Sequence, residues 1–212
     1  MAIEINQLAL GPLGPLSVCL DPGQLTVIIG PNGAGKSLLL RLMHGLERPE
    51  AGTISGMPER TAMLFHEPMM LDRSVRANLE WAARNPVEPI IEATGLTGLA
   101  QRRATRLSRG EQQRVALARA WASGPDLILA DELTANLDPA ETKRVESLIG
   151  RLKAEGIGIV LTTHDLGQAR RLADHVLVLV GGALVESRVA DEFWAAPGAD
   201  LSRRFIQGEV LA

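Results

Sequence analysis

The chain has 212 residues, 46% of them hydrophobic, with 22 basic against 25 acidic residues and a formal net charge of −3. This composition supports a buried core and excludes a disordered chain, and the charge balance argues against a nucleic-acid binder, which would carry a basic excess. The single cysteine, Cys19, excludes an internal disulfide and points to a reducing, cytosolic setting.

The opening MAIEINQLAL lacks the basic-then-apolar order of a secretion signal. Residues 3–29 are rich in Leu, Gly and Pro and read as short antiparallel strands and turns. Short apolar, β-branched runs predict strands at Leu25–Ile29, Ala62–Phe65, Leu127–Ala130, Ile157–Thr162 and Val176–Val180. Helical patterns begin near Lys36, Val75, Gly110, Pro139 and Leu166. This alternation predicts an α/β fold with a mainly parallel sheet and helices on both faces. Residues 67–123 carry no strand signal and read as a helical subdomain inserted into a core of 1–66 and 124–212, all within one domain. The late run VLVLVGGALV is only about half a bilayer span long and is broken by Gly181-Gly182. A soluble protein is expected, one that would work at a membrane only by docking onto another protein.

Residues 30–37 read GPNGAGKS, a complete G-x-x-x-x-G-K-[ST] match lying between the strand LTVII and the helical LLLRLMHGL. Gly30, Pro31, Asn32, Gly33, Ala34 and Gly35 form a loop whose N–H groups turn toward phosphate oxygens, at a helix start that favours anions. Lys36 suits the outer phosphates and the Ser37 hydroxyl suits Mg²⁺. A chance glycine-rich turn would not have both flanks in place.

LILADE (127–132) is an apolar strand ending in two carboxylates at the ligand-binding edge of such a sheet. Asp131 is placed to hold Mg²⁺ through water and Glu132 to orient or deprotonate an attacking water. A lone acidic pair would more often be a solvated strand end; a complete phosphate loop in the same chain favours the functional reading.

LSRGEQQR (107–114) places Ser108 and Glu111 at capping-box spacing before an apolar helix. Taken alone it is a well-capped helix start. With GPNGAGKS before it, and LILADE, LTANLDP (133–139) and TTHD (162–165) after it, the order resembles that of ABC-type ATPases over nearly the whole chain.

The resemblance implies a P-loop NTPase core that binds ATP and Mg²⁺. It implies a head-to-tail dimer with a second copy, in which Ser108 and Gly110 of one chain close over the γ-phosphate held by the other. It also implies that Glu132 serves as base, that His164 contacts the γ-phosphate, and that Asp138 organises the interface; by itself Asp138 reads as a helix N-cap before Pro139. Permease subunits and, indirectly, an extracytoplasmic binding protein would be partners, and the chain would sit on the cytoplasmic face of the membrane.

Four positions depart from the family pattern. Glu111 stands where a glutamine is usual but keeps the capping-box spacing, so the fold is not affected. His66 stands where a glutamine is usual; it is expected to couple to the membrane partner, touch the Mg²⁺ and water region, and make hydrolysis pH-sensitive. Arg109 stands where a glycine is usual and is expected to point to solvent. No aromatic residue lies near Leu10, so the base is expected to rest on Leu10 or Leu13, with weak discrimination between ATP and GTP. Finally, RSVRANLEWA (73–82), THDLGQARRLADHVLVLVGGALVE (163–186) and the terminal IQGEVLA resemble the ATPase subunits of tungstate importers. The expected cargo is therefore tungstate, with molybdate, phosphate, an exporter's substrate or a non-transport role as alternatives.

Overall fold

A computed structural model describes residues 2–84 and 86–209; the last three residues of IQGEVLA lie outside it. In chain order the elements are β1 (Ile3–Leu10), β2 (Leu13–Leu20), β3 (Leu25–Ile29), α1 (Lys36–His44), β4 (Ala51–Ser55), β5 (Thr61–Leu64), α2 (Val75–Glu80) and α3 (Glu88–Ala93). There follow α4 (Arg109–Ala122), β6 (Leu127–Asp131), α5 (Pro139–Ala154), β7 (Gly158–Thr162), α6 (Leu166–Leu172), β8 (His175–Val180), β9 (Ala183–Val189), α7 (Ala190–Ala195) and α8 (Asp200–Ile206). They form two compact units, residues 1–59 with 158–212, and residues 60–157.

The first unit holds two sheets. One is antiparallel, ordered β2-β1-β4, as the Leu- and Gly-rich start predicts. Cys19 is exposed on its β2 strand. In the other, β3 lies between β7 and β8, parallel to both, and β9 returns antiparallel beside β8. All five residues of β3 and of β7 are buried, the signature of parallel strands covered on both faces. Gly181 and Gly182, at φ 55° and 81°, make the tight turn between β8 and β9. The apolar run 176–185 is thus a hairpin.

In the second unit β5 and β6 pair in parallel, with Leu64 opposite Ala130. The helical stretch has its own apolar core, built from Val75 and Leu79 of α2, Ile90 and Ile91 of α3, Leu96, and Val115 and Ala118 of α4. Ser74 caps α2 through the Ala77 N–H, and the fully buried Asn78 staples the preceding loop by hydrogen bonds to the Leu71 amide and carbonyl. These local bonds settle where the chain turns into the helices.

Candidate functional site

In the first unit the phosphate loop leaves the C-terminal end of β3. Gly35 has φ 92° and is the N-cap of α1. A Cβ there would come within 2.7 Å of Leu13 Cδ1, so conformation and contact both require glycine. No side chain caps α1, whereas Ser108 and Asp138 cap α4 and α5. The α1 start, with Gly33 and Gly35 left-handed ahead of it, therefore keeps the character of an anion cradle. Lys36 is 5% exposed, and its Nζ donates to the carbonyls of Gly30 (2.9 Å) and Pro31 (3.0 Å). A buried ammonium aimed along its own loop fits a polyphosphate ligand.

His164 follows β7, and the register of β7 on β3 places Thr162 opposite Ile28. The Thr163 N–H donates to the Ile28 carbonyl. His164 and the phosphate loop therefore leave the same edge of neighbouring strands. His164 is exposed. Thr163 accepts from the Asp165 N–H and Asp165 caps α6, so the turn carrying the histidine is fixed on both sides. Leu13 is fully buried against Gly35 and offers no surface to a base. That corrects the expectation for Leu13 and leaves Leu10, which is partly buried.

In the second unit Asp131 ends β6 and is 6% exposed. Glu132 follows with φ 46°, a left-handed conformation unfavourable for a side chain of this kind. Strain of this sort persists where surrounding structure enforces it and collects at reactive sites. The two acids thus differ: Asp131 is set in the strand, while Glu132 is turned away from its path. The Asp131 carboxylate is an oxygen donor of the kind a hard cation such as Mg²⁺ takes, and so, within its own unit, is the Ser37 hydroxyl.

Ser108 is the N-cap of α4, and the capping box is complete. The Ser108 N–H and Oγ both lie on Glu111 Oε2, at 2.8 and 2.9 Å. These contacts, with the backbone bond foremost, hold the Glu111 carboxyl below the usual carboxylate range. Gly110 is buried, and a Cβ on it would approach Glu141 Cγ to 2.6 Å. Glu141 itself is held by Arg114 and Arg144. Asp138 caps α5, accepting from the Ala140 and Glu141 N–H groups at 2.8 and 2.9 Å.

Arg109 does not point to solvent. Its guanidinium lies 3.1 Å from His66 Nε2 and 3.4 Å from the His66 carbonyl, which also accepts from Gln113 Nε2 at 3.0 Å. Residues 109 and 113 are one turn apart on α4 and grip the loop after β5 together. Nothing in the local pattern shows this, because the partners are 43 residues apart. The Arg114–Glu141 pair is equally hidden from the sequence.

A family model described as "ABC transporter" matches residues 13–135. The chain is 34% identical to the "Probable anion import ATP-binding protein" of Haloferax volcanii, covering 94% of this chain and 82% of that one. It is 35% identical to the methionine import ATP-binding protein MetN of Caulobacter vibrioides, covering 94% and 69% respectively. A solved "ATP binding subunit of ABC transporter" superposes with a TM-score of 0.84 at 24% identity, over 98% of this chain and 99% of that one; this likeness is one of fold. With the phosphate loop, the acidic strand end and the capped LSRGEQQR helix all in place, the chain belongs to the ABC transporter family, as an ATP-hydrolysing cassette that uses ATP with Mg²⁺.

Proposed function

We propose that the chain is the ATPase subunit of an oxyanion importer, most closely a tungstate importer, and that it acts as one cassette domain in a head-to-tail pair of copies. The observation that carries the ATPase reading is the buried Lys36 inside its carbonyl-lined loop at the uncapped start of α1. The likeness to the "Probable anion import ATP-binding protein" of Haloferax volcanii supports an anion cargo, and the THDLGQARRLADHVLVLVGGALVE stretch carries the resemblance to tungstate importers.

Bound Mg²⁺, held by Ser37 and through water by Asp131, would supply charge neutralisation for the phosphates. Lys36 and the loop N–H groups orient the γ-phosphate. Glu132 takes the proton of the attacking water, and His164 stabilises charge on the γ-phosphate as it departs. Ser108 and Gly110 of the second copy complete the enclosure, and Asp138 holds the facing loops. His66 relays closure to permease subunits, which an extracytoplasmic binding protein loads with cargo. Met69 and Trp81, 77% and 66% exposed, are apolar side chains that a membrane partner would cover. The working location is the cytoplasmic face of the membrane, without nucleic acid.

Two measurements test this. Glu132→Gln is expected to bind ATP yet lower hydrolysis by at least about a hundredfold; turnover at the wild-type rate would remove Glu132 from the base role. Deleting the gene and measuring cellular tungsten, molybdenum and phosphorus by mass spectrometry tests the cargo. A selective fall in tungsten, restored by the wild type but not by Glu132→Gln, is expected. The MetN likeness favours a second reading: unchanged metals with lost uptake of labelled methionine would replace tungstate by that amino acid.

A further inference from the structure

The loop after β5 is tied to the first turns of α4 through one residue. His66 offers two acceptors there, its ring Nε2 and its carbonyl, and Arg109 reaches both while Gln113 reaches the carbonyl. A guanidinium has donors only. The contact at 3.1 Å therefore exists only with Nε2 as acceptor, which puts the proton of a neutral ring on Nδ1. Nδ1 is itself buried with no hydrogen-bond partner among the described residues, as is Arg109 Nε. The ring thus has one nitrogen against Arg109 and the other buried.

We propose that Arg109 is a positioning residue for His66. It selects the Nδ1–H tautomer, fixes the ring's orientation, and so sets how the loop after β5 meets the reacting centre. The charge of Arg109 serves His66 and not the phosphate of a facing copy. This inference rests on the ATPase reading for its catalytic consequence, but not for the tautomer.

The direct test is ¹⁵N NMR of the full chain with labelled histidine, assigning His66 by its loss in His66→Gln. In the wild type, two-bond couplings should report Nδ1–H for His66, against the Nε2–H form that a free histidine side chain prefers. Arg109→Met should shift His66 toward Nε2–H, and Arg109→Lys, which retains a donor, should restore Nδ1–H in part. A wild-type His66 in the Nε2–H form overturns the proposal before any Arg109 variant is made.

The second readout is a cycle of ATPase rates. Arg109→Met should lower kcat by about fivefold or more with KM for ATP little changed, and should have almost no further effect in a His66→Ala background. An equal loss in both backgrounds would mean that Arg109 acts on the nucleotide directly, and the proposal fails. If the wild type does not hydrolyse ATP, the ATPase reading fails, and the tautomer measurement still decides the role of Arg109.

Discussion

The Arg114 guanidinium meets the Glu141 carboxylate at 3.1 Å, with 8% and 14% of the side chains exposed, and so joins α4 to α5. The other arm of Arg114 donates to the carbonyls of Thr94 and Gly95 at the end of α3. Removing one partner of a buried pair leaves an uncompensated charge. Glu141→Ala is therefore expected to destabilise the protein by about 3 kcal/mol, read from the urea midpoint. An unshifted midpoint would show that the pair contributes nothing.

Gly110 lies directly on the Glu141 side chain, and a methyl group there would collide with its Cβ and Cγ. Gly110→Ala should cost about 1–3 kcal/mol by displacing that carboxylate. Combined with Glu141→Ala the two losses should be less than additive, because the closest approach, 2.6 Å to Cγ, disappears and only the Cβ contact at 3.0 Å stays. Additive losses in a denaturation cycle would mean that the glycine answers to some other contact.

The capping box gives a stability effect with a defined pH window. Ser108→Ala should cost about 1 kcal/mol. Glu111 has its folded value depressed below 4.5, mainly by the Ser108 backbone bond. A depressed carboxyl contributes stability above its unfolded value, and that contribution is lost as pH falls through the folded value. The stability difference between wild type and Glu111→Gln should be flat above pH 4.5 and should shrink below it. A difference that grows on acidification would contradict the sign.

Lys36 donates to two loop carbonyls, so its ammonium already lies in the loop that is to cradle a phosphate. Lys36→Met should weaken nucleotide binding by about a hundredfold or more. In a melting experiment ATP and Mg²⁺ should raise Tm for the wild type and leave the variant nearly unmoved. With Leu10 alone left beneath the base, ATP and GTP should differ by less than about tenfold in the same titration.

The parallel core was legible because its strands are continuous apolar runs. Leu25–Ile29 is β3 as expected, and the strands expected at residues 62–65, 127–130, 157–162 and 176–180 match β5 to β8 within a residue or so. Two strands were not. β4 (AGTIS) is largely exposed, with neither alternation nor an apolar run to announce it. β9 was obscured because Gly181-Gly182 read as a break in a run, although two glycines between apolar stretches also spell a hairpin. The site motifs declared themselves because their chemistry is local: a loop, a cap, a strand end. Arg109 did not, since its first-turn position says nothing about which distant loop it will meet.

The capping box has one more consequence. Both the N–H and the hydroxyl of Ser108 already address a negatively charged oxygen, Glu111 Oε2. The start of α4 thus carries a resident anion of its own making. Any external anion brought to Ser108 must share those donors or evict the carboxylate. One side chain thereby sets the integrity of this helix and its hospitality to phosphate in opposition.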